Sequence, residues 1–294
     1  LLTANNHCYD TRSVGYHRTQ QVLDEYKMDY TGTVRDSQDP NYLLIDINGI
    51  RIGMICYTYE DSADPNSVAP NGCTMTNADE TLINSFHNDD LGTFYTRIGS
   101  QIQEMEEAGA EAIVLYIHWG VEYQIKQNNT QRTIAQKMCD LGIDVIIGGH
   151  PHVVQPVDLI TSTDGTHKTV CVYSVGNMVS NQRRNLMGLK TGHTEDGLIF
   201  KVTISKYSDG TVMIEKVKSV PTWVHLYSGT YNIVPLSKNL DGKAAQLGLS
   251  KSGTGLSLAK GSYERTMELV KAGTSKCNKY LSSIPKPDEL TAAQ

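Results

Sequence analysis

The sequence predicts an α/β fold, and three adjoining segments near the middle of the 294-residue chain carry that prediction. Residues 112–117 and 143–147 are apolar runs of strand length. Residues 130–141 lie between them, repeat apolar side chains at helical spacing and stop at a glycine. Apolar strands separated by an amphipathic helix are typical of parallel strands that are covered by helices. We therefore expect a parallel sheet with flanking helices.

The remaining elements follow from the same patterns. Asn48-Gly49 joins two apolar runs and is the preferred pair for a type I′ hairpin turn, in which both central residues need positive φ. Residues 61–90 are polar and punctuated by Pro and Gly, which predicts a long loop. The other predicted elements are helices at 15–28, 94–108 and 263–271 and strands at 42–47, 50–55, 169–174, 198–205 and 212–217.

The composition excludes several functional classes. The formal net charge is −6, so no basic field favours a nucleic-acid partner. No run approaches the roughly 18 apolar residues that a membrane helix needs. The six cysteines include no CxxC pair, which argues against a zinc site built from thiolates. Cys56, Cys139 and Cys171 lie in apolar phases of predicted elements, and we expect them to be buried and unpaired.

Candidate metal ligands directly follow two of the predicted strands, and others lie near the N-terminus. His118 comes directly after one buried strand, and His150 and His152 follow the next within a Gly-Gly-His-Pro-His segment. Carboxyl ends of parallel strands line the ligand crevice of such sheets, so these imidazoles should converge. A single histidine at a strand end is more often a hydrogen-bonded surface residue, but this combination predicts a metal site. Asn6 and His7 form a third polar segment near the start.

Four motifs occur along the chain in the order NNHxxD, HWGxEY, GGHPHVVQ and YSVGN. This set resembles the CapA family of bacterial capsule and poly-γ-glutamate synthesis proteins, which is similar to the calcineurin-like metallophosphoesterases. The resemblance implies a layered β-sandwich flanked by helices and a CapA-like domain at residues 1–236. It leaves a partly helical C-terminal appendage at residues 237–294. Two superfamily motifs should precede NNHxxD, so we expect an N-terminally incomplete domain that lacks its first strands.

The resemblance implies a site for two divalent metal ions, which would be Mn, Fe or Zn. Asn6, His118 and His150 correspond to ligands of one ion, and His152 to a ligand of the other. His7 corresponds to the catalytic residue beside the leaving group, where it acts as an acid or an electrostatic stabiliser. The carboxylate that bridges the two ions belongs to the motifs that are absent here. We therefore expect at most one weakly held ion and poor phosphoesterase activity from the chain as given.

Three further residues lie in or beside the motifs. The resemblance assigns Glu122 and Tyr123 a role in shaping substrate binding. It also implies a substrate-binding role for Asn177, which lies on a loop near the same edge of the sheet. Asp10 is the acidic residue nearest to the first motif, and we expect it to fix the start of the helix that follows.

The implied function is capsule or poly-γ-glutamate biosynthesis outside the cell membrane, with metal-assisted hydrolysis of a phosphoester. The expected partners are an anionic polymer or phosphoester substrate and membrane-bound capsule synthase subunits, with no nucleic acid. We expect an extracytoplasmic chain that is anchored to the membrane through a missing N-terminal segment. One alternative is a non-enzymatic subunit that binds polymer or assists assembly, and another is a zinc amidase that acts on peptide-like polymer.

Overall fold

A computed structural model describes residues 1–64, 67–249 and 254–287 and confirms the α/β class. The helices are α1 (Arg12–Glu25), α2 (Leu91–Glu107), α3 (Asn129–Asp140), α4 (Arg184–Met187) and α5 (Gly255–Leu281). The strands are β1 (Leu43–Ile47), β2 (Ile50–Glu60), β3 (Ser85–His87), β4 (Ala112–His118), β5 (Val145–Gly149), β6 (Val157–Thr161), β7 (Lys168–Val172), β8 (Asp196–Lys206), β9 (Val212–Tyr227) and β10 (Thr230–Pro235).

The strands form a mixed sheet of seven and a separate antiparallel sheet of three. The larger sheet has the order β1-β2-β4-β5-β7-β6, and β3 pairs with β2. Strand β2 runs parallel to β4 and to β3 but antiparallel to β1. The smaller sheet has the order β10-β9-β8. Parallel pairing is therefore confirmed within the large sheet between β2 and β4, and β4 and β5, on which the prediction was based, are neighbours in it.

The predicted hairpin between β1 and β2 is also confirmed. Asn48 and Gly49 have φ values of 54° and 81°, which are the left-handed conformations that a type I′ turn needs. The carboxylate of Asp46 accepts a hydrogen bond of 2.8 Å from the Gly49 N–H and closes the turn. Because this turn is short, it fixes which residues of β1 and β2 face each other.

Short or interrupted elements escaped prediction. The segment predicted as a loop at 61–90 contains β3, whose three residues are too few to show a period of two. Strand β9 continues through Pro221, a residue that normally ends a strand pattern. Strands β6 and β10 were missed, and α5 extends well beyond the predicted 263–271. Within the described residues, no helix is long and apolar enough to cross a membrane.

The contacts divide the chain into two units. The first unit comprises residues 1–119, 130–148 and 160–169, and the second comprises 120–129, 149–159 and 170–294. A core cluster of the first unit includes Ala4, Tyr9, Tyr16, Cys56 and Ile83. A cluster of the second unit includes Trp223, Val234, Leu236, Leu240 and Ala259. The domain boundary predicted after residue 236 stays a prediction.

The prediction for the cysteines is confirmed. All six cysteines lie in the described part of the chain, and all are free thiols. Cys56, Cys139 and Cys171 are fully buried. Burial raises the pKa of the Cys56 thiol to about 12, so this side chain behaves as a small apolar residue rather than as a nucleophile.

Helix α5 packs against one face of β9 in the second unit. The Asn278 side chain accepts a hydrogen bond from the Val217 N–H and donates one to the Val217 carbonyl, each at 2.9 Å. The hydroxyls of Ser219 and Thr274 are 2.8 Å apart. Val217 therefore contacts the helix through its backbone, and Ser219 contacts it through its side chain.

Candidate metal and hydrolytic site

The Asn-Asn-His segment forms a turn at the start of the first unit. The Asn5 side chain accepts a hydrogen bond of 2.9 Å from the His7 N–H, and the Asn5 carbonyl accepts one of 3.1 Å from the Cys8 N–H. The adjacent Tyr9 is only 1% exposed. A local turn next to a buried aromatic anchor holds Asn6 and His7 in a defined position before α1 begins.

Asn6 and His118, two of the predicted metal ligands, lie side by side in the first unit. The His118 Nε2 atom and the Asn6 side-chain oxygen lie 2.9 Å apart. Asn6 is 4% exposed, and the ring of Tyr59 lies nearly parallel to that of His118. Two ligand atoms at right angles around an ion, each about 2.1 Å from it, are roughly 3 Å apart. The spacing of these two atoms therefore fits neighbouring ligands of a single divalent ion.

His7 is oriented by Asp10. The His7 Nδ1 and the Asp10 carboxylate are 2.8 Å apart, so Nδ1–H donates and Nε2 is left available. The Asn71 amide donates a hydrogen bond of 3.4 Å to the same carboxylate. Partial burial acts to raise the pKa of Asp10, but the hydrogen bonds from His7 and Asn71 outweigh it and lower that pKa. The role expected for Asp10 at the helix start is wrong, because α1 begins at Arg12 without a side-chain cap.

Asp79 ties the first motif to the core of the first unit. Its carboxylate, 2% exposed, accepts hydrogen bonds of 2.6 Å from the Tyr9 hydroxyl and 2.7 Å from His17 Nε2. Burial would raise the pKa of Asp79, but these bonds, with those from Ser13 and Thr76, outweigh it and lower that pKa from its ordinary value. The ionised carboxylate is thus the form that the fold stabilises.

We expect Asp79→Asn to lower the free energy of unfolding at pH 7 by about 2 kcal/mol, because a buried tyrosine hydroxyl loses its charged acceptor. The pKa of Asp79 is depressed in the fold, so the carboxylate stabilises above pH 4 or so and its contribution falls away in more acidic solution. Urea unfolding between pH 7 and pH 3 measures both effects. If the free energies of unfolding of the wild type and the variant differed by the same amount at pH 7 and at pH 3, this assignment would be wrong.

In the second unit, a hydrogen-bond network fixes the orientation of His152. Three acceptor oxygens, those of His152, Gln182 and Thr194, lie 3.0–3.1 Å from the Asn177 amide nitrogen, whose two protons they share. The Asn177 side-chain oxygen therefore faces His152, and the His152 Nδ1–H donates to it at 2.9 Å. The lone pair of His152 is then on Nε2, which is the state that a metal-binding imidazole needs.

Backbone conformation marks the same residues. His150, His152 and Tyr123 have φ values of 94°, 58° and 65°, a region that residues other than glycine rarely adopt. Such conformations cluster at functional sites, where the surrounding structure holds them. His150 is 9% exposed, and its ring centre is 6.3 Å from that of His152. The second unit therefore presents two neighbouring histidines on a constrained loop.

Tyr123 and Glu122 border His152. The Tyr123 ring stacks on the His152 ring at 6.1 Å, and the Tyr123 N–H donates to the Pro151 carbonyl at 2.8 Å. Burial and the neighbouring Glu122 carboxylate raise the pKa of Tyr123. A Glu122 oxygen is 3.8 Å from His152 Nε2, so this is a carboxylate near a predicted ligand atom.

The predicted residues thus fall into two groups. The first unit holds Asn6, His7 and His118, and the second holds Glu122, Tyr123, His150, His152 and Asn177. The convergence of the four predicted metal ligands on one point stays a prediction. Among the described residues, no group of three or more His, Cys, Asp or Glu side chains is arranged to hold a metal ion. Sequence reasoning missed Gln182, which contacts both Asn177 and the Tyr123 hydroxyl.

Comparisons with known proteins give a consistent picture. The family model described as bacterial capsule synthesis protein PGA_cap matches residues 1–182. The capsule biosynthesis protein CapA of Bacillus anthracis is 27% identical over 183 residues, which is 62% of this chain and 40% of that protein. The PGA biosynthesis protein CapA of Bacillus subtilis (strain 168) is 41% identical over 73 residues, which is 25% of this chain and 18% of that protein.

The chain therefore spans less than half the length of these curated relatives. A solved structure, "Termus thermophilus Sulfate thiohydrolase SoxB in complex with glycerol", aligns with a TM-score of 0.40 and 16% identity. That alignment covers 80% of this chain and 34% of the other.

Proposed function

Because the chain belongs to the bacterial capsule synthesis family of CapA proteins, we propose that it acts in making or exporting an anionic capsule polymer of the poly-γ-glutamate kind. We further propose that it binds divalent metal ions through Asn6, His118, His150 and His152 and hydrolyses a phosphoester. An extracytoplasmic location and membrane-bound capsule synthase subunits as partners belong to the same proposal. The names of the relatives support the polymer, and the local geometry of the motifs supports the metal.

The contact between Asn6 and His118 carries the metal part of the proposal. These residues are 112 positions apart, yet their oxygen and nitrogen atoms are 2.9 Å from each other. An amide oxygen and an imidazole nitrogen are ligands that Mn, Fe and Zn accept. The second support is the orientation of His152, whose Nδ1–H is held by Asn177 so that Nε2 is available.

Divalent ions at such residues supply Lewis-acid charge and lower the pKa of water. The chain itself supplies the proton that a leaving oxygen needs. Asp10 accepts from Nδ1–H of His7, which fixes the ring and leaves Nε2 as the atom that faces the leaving group in this proposal. Tyr123 and Glu122 border His152, and this proximity supports our proposal that they contact substrate. We assign Asn177 to positioning His152 rather than to substrate, because its amide is occupied by hydrogen bonds.

The test of this function is metal content together with hydrolysis. The protein is loaded in turn with Mn²⁺, Fe²⁺ or Zn²⁺, desalted, analysed for metal and assayed with bis-p-nitrophenyl phosphate. We expect bound metal and metal-dependent release of nitrophenol that a chelator abolishes. Bound metal with no hydrolysis, together with polymer binding, would favour the alternative of a non-enzymatic polymer-binding or assembly subunit. The neutral amide and imidazole ligands favour that alternative, because a bridging carboxylate is not among them.

We expect Asp10→Asn to lower kcat for an ester with a poor leaving group by about 10- to 100-fold, because His7 loses the carboxylate that orients its ring. An activated ester such as bis-p-nitrophenyl phosphate needs less proton donation and should be affected less. Asp36→Asn, an exposed change in the same unit, is the control. Equal losses on both esters would show that Asp10 acts on folding or metal binding instead.

A further inference from the structure

A basic cavity of about 520 Å³ lies in the second unit beside β9. Its lining includes Lys218 of β9, Lys238 and Lys243 from the segment after β10, and Tyr263 and Met267 of α5. We call it the lysine cavity. Among the described residues that line it, none is acidic and none is an arginine. The charged residues of this lining are all lysines, although the chain has a net charge of −6. This local positive charge favours an anionic ligand.

The three ammonium groups of the lysine cavity are exposed and uncommitted. Within residues 1–64, 67–249 and 254–287, none of Lys218, Lys238 and Lys243 has a hydrogen bond or ion pair through its side chain. Two lysines of α5 in the same unit do form ion pairs with aspartates. A ligand can therefore bind these lysines without breaking a hydrogen bond or an ion pair of their side chains.

A fourth lysine lies directly opposite Lys218. Strands β8 and β9 are antiparallel, and their register pairs Lys201 with Lys218. Like charges directly opposite each other destabilise a strand pair. Directly opposed residues of an antiparallel pair project from the same face of the sheet, so the Lys201 side chain lies beside that of Lys218. The sheet thus bears an unfavourable charge pair that an anionic ligand would relieve.

We propose that the lysine cavity, extended by Lys201, binds a chain of recurring carboxylates. The choice of polymer rests on the proposed function. Lysine presents a point charge on a flexible stem and imposes little orientation, which suits a polymer whose charges recur along a mobile chain. Tyr263 and Met267 offer apolar surface for the aliphatic segments between the carboxylates. The cavity shares no lining residue with the histidine motifs, so it holds polymer without taking part in the hydrolytic chemistry.

Fluorescence anisotropy with labelled poly-γ-glutamate tests the proposal on the full chain. We expect K218Q/K238Q/K243Q to weaken binding about tenfold or more and to reduce its dependence on salt. The matched control is K190Q/K271Q/K279Q, which removes three exposed lysines of the same unit that lie outside the cavity. The control should bind as the wild type does. Equal losses in the two triple variants would overturn the site, because net charge alone would then explain binding.

Competition with glutamate and with inorganic phosphate identifies the ligand class. We expect neither to displace the polymer at concentrations matched in charge, because the three lysines act on linked carboxylates. Displacement by phosphate at such concentrations would overturn the polymer assignment. Metal content and phosphodiester hydrolysis are measured on the same variants and should be unchanged. Loss of polymer binding with intact metal binding therefore tests the cavity, while absent metal in the wild type would count against the proposed function alone.

Lys201→Glu separates an effect on polymer binding from an effect on stability, because the two effects should have opposite signs. The change replaces repulsion across the strand pair with attraction, so the melting temperature should rise. Polymer binding should weaken by about threefold or more, because a carboxylate then lies beside the cavity. A variant that gains stability and binds polymer as tightly as the wild type would remove Lys201 from the site.

Discussion

His118→Ala is expected to lower bound metal and metal-dependent hydrolysis by about 100-fold or more. The imidazole is a predicted ligand, and its Nε2 lies 2.9 Å from the Asn6 oxygen that is predicted to share the ion. The predicted ligands are all neutral donors. The loss of one nitrogen ligand therefore leaves too few strong bonds to hold a divalent ion. Metal analysis after desalting and initial rates with bis-p-nitrophenyl phosphate measure the two effects.

Two further variants separate ligation from structure. Asn6→Asp keeps an oxygen acceptor for His118 and adds a negative charge, so it should hold divalent metal more tightly than the wild type. His87→Ala removes a partly exposed histidine of the same unit that lies outside the motifs, and metal content should not change. If His118→Ala retained the metal of the wild type, or if Asn6→Asp lost it, the ligand assignment would be wrong.

The regular elements were predictable because their signals are local. The apolar runs of β4 and β5 and the helical spacing of α3 each lie within a single window of sequence. The turn at Asn48-Gly49 was predictable for a related reason, since the φ values that it needs select those two residues. Strand β3 was not predictable, because its place is set by pairing with β2 and not by its three residues.

The residues of the candidate site were predicted from the sequence, but the hydrogen bonds that position them were not. Motif order suggested His7, yet nothing in the sequence distinguishes an Asp10 that binds His7 from one that caps a helix, since both need an acid at that spacing. Asn177 was assigned to substrate because its motif lies on a loop. Its actual partners, His152, Gln182 and Thr194, come from segments that only the folded chain brings together. Supporting contacts of this kind require tertiary structure.

The largest loss of stability is expected from the buried ion pair between β8 and α5. Asp196 is 1% exposed and accepts two hydrogen bonds from the Arg265 guanidinium, at 2.9 Å and 2.7 Å. Ser262 donates a third at 2.6 Å. Burial dominates over these bonds and raises the pKa of Asp196. The arginine and the serine both donate to this one carboxylate, and the only other acceptor that the structure shows for Arg265 in the described part of the chain is the Gly192 carbonyl at 3.4 Å.

We expect Asp196→Ala to lower the free energy of unfolding by about 3–5 kcal/mol, because it leaves the Arg265 charge without its partner in a mostly buried setting. Lys260→Ala on the same helix is the control. Its ion pair with Asp241 is exposed and should contribute less than about 1 kcal/mol. Urea unfolding of both variants measures the difference, and recovery of stability in Asp196→Asn should be only partial, since the amide accepts a hydrogen bond but carries no charge. Similar losses for Asp196→Ala and Lys260→Ala would mean that the carboxylate does not hold α5 to β8.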